Sequence, residues 1–238
     1  MNGKLAELEW IFFDIGSTLT DEGPFENIMF KFVYERMREA RIAVDERAFE
    51  DAIREVVEKR KLGSGGYRSL IRELMLTFTN NIDQAQKIVN SFNLRVSAKY
   101  VEMQVPYPET KEIIKRLSSR YGLGVIANQP REAAQFLNKL GLSEYLDVVV
   151  LCSQVGFAKP DSRIFLHALE EAKCKPERAM MVGDRLDNDI APAKSVGMLT
   201  THVKRGMMIC QKPLSKLEIP DYEIDSLQDL LTILRLSE

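Results

Sequence analysis

Four apolar residues, Trp10-Ile11-Phe12-Phe13, run without interruption into Asp14, and Gly16-Ser17-Thr18 then breaks the pattern. An unbroken apolar run that stops at a turn signal predicts a strand covered on both faces. Similar runs at Leu123–Ala127, Asp147–Leu151, Ala179–Val182 and Leu199–Val203 predict four more strands, with a weaker one at Asp221–Ile224. Between them, helical patterns cover Pro108–Arg120, Arg131–Leu140, Arg163–Ala172, Asp189–Ser195 and Leu227–Leu236. Strands alternating with helices of this length argue for βαβ units and a parallel sheet. The fold class expected is therefore α/β, a doubly wound, Rossmann-like parallel sheet.

From about Pro24 to Gln104 the rhythm changes. Helix-like patterns occupy Phe25–Ala40, Asp45–Lys61, Ser69–Phe78 and Ile82–Ala98, with no strand-like run among them. An all-helical block between the first and second strands is most simply an insertion into the α/β core. The expected organisation is a core of residues 1–20 and 106–238, with an all-helical domain at 21–105 hinged near Thr20–Pro24 and Val105–Pro108.

Composition narrows the partners. With 45% hydrophobic and 29% charged residues and a net charge of −2, the chain offers no global attraction to nucleic acid or to an acidic membrane surface. No apolar run approaches membrane-spanning length, and Met1–Glu9 has no signal-peptide core. Cys152, Cys174 and Cys210 are odd in number, widely spaced and free of any CxxC pair, which suits reduced thiols in the cytoplasm. A monomer or homodimer is expected.

The chemistry gathers at strand ends, where open α/β sheets bind ligands. Asp14 ends the first strand, and Asn128 follows the second. Gly156-Phe157-Ala158-Lys159-Pro160-Asp161 follows the third, and Gly183-Asp184-Arg185-Leu186-Asp187-Asn188-Asp189 the fourth. Taken singly, these are ordinary turn and helix-start residues. Together, Asp14, Asp184 and Asp189 would meet in one crevice, where their like charges repel unless a cation sits among them. An all-oxygen donor set with room for water and phosphate suits Mg²⁺, and Lys159 supplies a point charge suited to phosphate.

On Phe13–Leu19, Val125–Asn128, Val155–Asp161 and Met181–Ile190 the chain resembles the haloacid dehalogenase-like (HAD) hydrolase superfamily. The likeness is to its subfamily I, with a helical (C1-type) cap after the first motif, and it covers nearly the whole chain. It implies a Mg²⁺-dependent phosphatase acting on small phosphorylated molecules, with Asp14 attacking phosphorus to give an aspartyl-phosphate that water then hydrolyses. By the same resemblance Asp14, Asp184, Asp189 and the Gly16 carbonyl hold the metal. Asn128, Lys159, Gly16 and Ser17 would hold the phosphoryl group. The cap would close over the site and choose the substrate.

Two positions depart from the family pattern. Gly16 stands where most of its phosphatases carry a second aspartate, the proton donor to the leaving group, and Ala127 stands where a Ser or Thr hydroxyl usually meets the phosphate. General acid–base catalysis is typically worth about 10²–10⁴-fold, and a hydrogen bond to a charged group about 1.5–3 kcal/mol. Losing the acid bites hardest on poor leaving groups such as alkoxides. Glu22, Asp21 and Tyr67 are candidate substitute acids by nearness in sequence, and Lys59, Arg60, Lys61 and Arg68 around Gly63–Gly66 could meet an anionic substrate tail. Other readings are phosphonate or carbon–halogen hydrolysis on the same nucleophile, and a non-catalytic Mg²⁺/phosphate-binding protein. Phosphonate hydrolysis would draw on a cap lysine such as Lys31, Lys59 or Lys61, and dehalogenation fits poorly with the acidic fourth motif.

Overall fold

The computed structural model describes residues 3–62 and 66–236. By internal contacts the chain divides into two compact units, Met1–Asp21 with Val105–Glu238, and Glu22–Gln104.

The first unit is built on six parallel strands. They are β1 (Trp10–Phe13), β4 (Gly122–Ala127), β5 (Val148–Leu151), β6 (Ala179–Gly183), β7 (Leu199–Val203) and β8 (Tyr222–Ile224), ordered β5-β4-β1-β6-β7-β8. β1 pairs on both sides, Phe13 lying opposite Val125 of β4 and Val182 of β6. The near-continuous apolar character of these strands follows from burial on both faces. Ile11, Phe13, Val125 and Val182 pack with Ile113, Ile114 and Leu117 of the helix Thr110–Ser118. Phe12, Ile126 and Met181 pack on the other face with Ile164 and Phe165 of the helix Ser162–Glu171. From β1 the chain proceeds through β4 to β5 on one side and then returns to β6 on the other. The β1–β6 boundary is thus the switch point, where such sheets open a crevice at their carboxyl ends.

The two segments read as hinges pair with each other. β2 (Thr20–Asp21) and β3 (Val105–Pro106) form a short antiparallel ribbon, Thr20 opposite Pro106 and Asp21 opposite Val105. Two residues per strand are too few to show a period of two in a sequence.

The second unit is helical: Gly23–Glu39, Glu46–Glu58, Gly66–Phe78, Ile82–Arg95 and Tyr100–Met103. Pro24 sits in the first turn of the first helix, where its missing N–H costs nothing. Asp45 caps the next by accepting from the Ala48 N–H, and Asn81 caps the fourth by accepting from the Gln84 N–H. That fourth helix stops at Arg95, and a 3₁₀ turn at Ser97–Lys99 ends the pattern that the sequence carries on to Ala98. Of the basic loop 59–66, Gly63, Ser64 and Gly65 lie outside the described residues. No helix among the described residues is long and apolar enough to cross a membrane.

Candidate active site

Asp14 leaves β1 while still in the sheet, its N–H donating to the Val182 carbonyl at 2.9 Å. The chain then coils tightly: the Ile15 carbonyl accepts from the N–H of Leu19 (2.9 Å) and Thr20 (3.0 Å) and from the Thr20 hydroxyl (3.1 Å). Gly16 bridges to Thr20. Ser17 is buried with a φ of 52°, the left-handed region in which side chains are uncommon.

Lys159 reaches the same place from the loop after β5. Its Nζ donates to Asp14 Oδ1 and to Asp189 Oδ1, each at 2.6 Å, and its side chain is only 2% exposed. Burial alone would push the ammonium down; the two carboxylates outweigh it and hold Lys159 well above its ordinary value. Asn128, at the end of β4, clamps the lysine backbone. Its Nδ2 donates to the Lys159 carbonyl (2.8 Å), and its Oδ1 accepts the Lys159 N–H (2.7 Å). Both polar atoms of the Asn128 side chain are thus engaged on Lys159, where the sequence offers the residue to a phosphoryl group.

The third arm follows β6. Asp184 is buried, and its carbonyl lies 3.0 Å from Nε2 of the buried His202 on β7. Residues Leu186–Ile190 form a π-helical turn rather than the start of an α-helix, a wider turn often found at functional sites. It divides its aspartates. Asp189 Oδ2 accepts the Arg185 N–H at 3.0 Å while Oδ1 meets Lys159. Asp187 turns to the Arg185 guanidinium, at 3.2 and 2.8 Å, and to Gln211 Nε2 at 3.1 Å. The Gln211 carbonyl oxygen also accepts the Leu186 N–H at 2.9 Å. Arg185 stands inside the motif that follows β6, whereas Gln211 lies after β7, outside every motif of the sequence.

Asp14, Asp184 and Asp189 therefore converge, with one ligand oxygen from each lying within 4.8 Å of the others. Across an octahedral Mg²⁺ with bonds of about 2.1 Å, opposite oxygens stand about 4.2 Å apart. Lys159 bonds two of these carboxylates and the Arg185 guanidinium acts on Asp184 and Asp189, and the all-oxygen donor set suits a hard divalent cation. Of the three carboxylates, Asp14 alone keeps appreciable exposure, 15% of its side chain.

The remaining candidates have the following surroundings within their own units. Asp21 is half-buried in β2. Glu22 belongs to the helical unit and accepts hydrogen bonds there from Tyr67, Tyr100 and Gln104. The Tyr67 hydroxyl lies 3.0 Å from both Glu22 and Glu26. Burial and then those two carboxylates push the Tyr67 phenol well above its ordinary value.

Known proteins resemble this chain over most of its length. Residues 8–197 match the family model of haloacid dehalogenase-like hydrolases. A glyceraldehyde 3-phosphate phosphatase from Methanocaldococcus jannaschii is 28% identical over 96% of this chain and 97% of its own length. One from Methanopyrus kandleri is 33% identical, but over 55% of this chain and 57% of its own length. The crystal structure of a HAD phosphatase from Thermococcus onnurineus superposes with a TM-score of 0.61 at 26% identity, covering 95% of this chain and 98% of that one. The chain belongs to the haloacid dehalogenase-like hydrolases.

Proposed function

We propose that this hydrolase is a Mg²⁺-dependent phosphatase of small phosphorylated metabolites, with Asp14 as the nucleophile. The observation that carries the reading is the convergence of Asp14, Asp184 and Asp189, two of them bonded to Lys159 and Asp14 the most exposed of the three. The names of the archaeal relatives support the substrate class, and glyceraldehyde 3-phosphate is the first compound to test.

An Asp14 carboxylate oxygen attacks phosphorus; the bond to the ester oxygen breaks, and the leaving oxygen departs with its electron pair. Water then adds to the aspartyl-phosphate, releasing phosphate and the free carboxylate. Lys159, a fixed cation throughout, stabilises charge on the phosphoryl oxygens. Asn128 works through Lys159 by fixing its backbone. Asp14, Asp184 and Asp189, with the Gly16 carbonyl, would hold Mg²⁺, which when bound would supply Lewis-acid neutralisation of the phosphate.

Gly16 offers no proton to the leaving oxygen. Its absent carboxyl restricts the enzyme by roughly 10²–10⁴-fold on alkyl esters, and far less on aryl or acyl phosphates that leave as stable anions. The test is Mg²⁺-dependent hydrolysis of acetyl phosphate, p-nitrophenyl phosphate and glyceraldehyde 3-phosphate, with Asp14→Asn as control. A steep fall along that series, abolished altogether by Asp14→Asn, supports the reading. Equal rates would mean a substitute acid, and no turnover of any of them would overturn the assignment as a phosphatase.

A further inference from the structure

The segment that follows β7 touches both loops of the candidate site. Gly206, at a φ of 63°, lies so close to Ser17 that a methyl group there would fall 2.7 Å from the Ser17 Cβ. Five residues on, Gln211 is buried and makes two hydrogen bonds to the turn after β6. Its Oε1 takes the Leu186 N–H (2.9 Å) and its Nε2 donates to Asp187 Oδ1 (3.1 Å).

We infer that Gln211 is a positioning residue for Asp189. The turn offers two carboxylates, Asp187 and Asp189, two positions apart, and only Asp189 faces Lys159. Gln211 and the Arg185 guanidinium together hold Asp187 away from the cluster. The backbone so fixed aims the Arg185 N–H at Asp189 Oδ2 (3.0 Å), leaving Oδ1 for Lys159. A primary amide suits this place because it accepts from a backbone N–H with one atom and donates to a carboxylate with the other. Glutamate would keep the acceptor but set a second negative charge against Asp187. Asparagine is one methylene shorter.

The inference rests on the reading of Asp189 as a metal ligand, and the experiment separates the two. In full-length protein, Gln211→Glu is compared with wild type and with the double variant Asp187→Asn/Gln211→Glu, which restores one donor and one acceptor across the pair. Two quantities are read: hydrogen exchange of the Arg185 amide in metal-free protein, and the Mg²⁺ dissociation constant by calorimetry. Gln211→Glu is expected to speed Arg185 exchange at least about tenfold and to weaken Mg²⁺ about tenfold, the low end of the effect of removing an outer partner of a metal ligand. The double variant is expected to recover most of both losses.

Wild-type values in Gln211→Glu, or losses that the double variant does not recover, would overturn the inference. Should Gln211→Glu fail to fold, Gln211→Met is measured in the same way, and unchanged exchange and affinity overturn it equally. If wild-type protein binds no Mg²⁺, the metal reading falls, and Arg185 exchange decides the positioning role by itself.

Discussion

The α-carbon of Gly183 lies directly against the carboxyl group of Asp189. A methyl group at Gly183 would stand 2.5 Å from Asp189 Cβ, Cγ and Oδ2. Gly183→Ala must therefore displace Asp189 from Lys159 or push the strand end aside. The expected outcome is a loss of about 1–3 kcal/mol of stability, as for other overpacked sites, and a 10–100-fold weaker Mg²⁺ site. Denaturant unfolding and a Mg²⁺ titration on the same sample check both. An alanine that leaves Mg²⁺ affinity intact would mean that Asp189 is not a ligand.

Gly206 and Ser17 form a second close approach, and both have positive φ. Gly206→Ala is expected to cost about 1–3 kcal/mol because its backbone, φ 63° and ψ −169°, lies in a region only glycine readily adopts, plus about 1–3 kcal/mol for the clash. Ser17→Gly removes the second part only. In a double-mutant cycle the pair should therefore couple by about 1–3 kcal/mol in the favourable direction. Simple additivity would mean that the loop moves away at no cost.

Lys159 bonds both Asp14 and Asp189, and replacing it by methionine removes the ammonium that these two carboxylates share. Breaking a buried pair in this way costs about 3–5 kcal/mol, so metal-free Lys159→Met should unfold at clearly lower urea. Mg²⁺ should stabilise the variant more than wild type, because the carboxylates then lack their ammonium. The difference in Tm between chelator and Mg²⁺ measures this for each protein. An equal difference in both would place the cation elsewhere.

Burial pushes the His202 imidazole below its ordinary value, against the opposing pull of the Asp184 carbonyl. A lowered folded pKa means that the unfolded state takes up the proton first. The stability so contributed is complete above the unfolded value of about 6.5 and is lost as pH falls toward the folded one. In chelator, wild type should lose stability from about pH 6.5 downward by at most about 1.4 kcal/mol per pH unit from this group. His202→Gln should lack that component. Parallel urea midpoints of the two proteins between pH 7 and 5 would contradict it.

The architecture was largely legible in the order of residues. Apolar runs identify β1, β4, β5, β6 and β7 to within a residue, because a strand covered on both faces leaves no polar position free. The helical block stands out because the period changes from that of a strand to that of a helix. Asp14, Asn128 and Asp184 fall at strand ends for the same reason: polar residues begin where the sheet's cover stops, whereas Lys159 follows β5 only after the short helix Cys152–Val155.

Only the tertiary structure assigned the partners. The residues 184–189 contain three aspartates; the sequence already groups Asp184 and Asp189 with Asp14, but nothing in it says that Asp187 turns to Arg185 and Gln211. The π-helical turn that separates them was hidden in a stretch that reads as an acidic helix start. Asn128 meets the Lys159 backbone 31 residues on, and Lys159 meets Asp14 across 145. Burial and element type follow from local periodicity, which the chain's own geometry imposes. The choice among equivalent side chains depends on which group from a distant segment arrives within hydrogen-bond range, and that is decided when the sheet closes around β1.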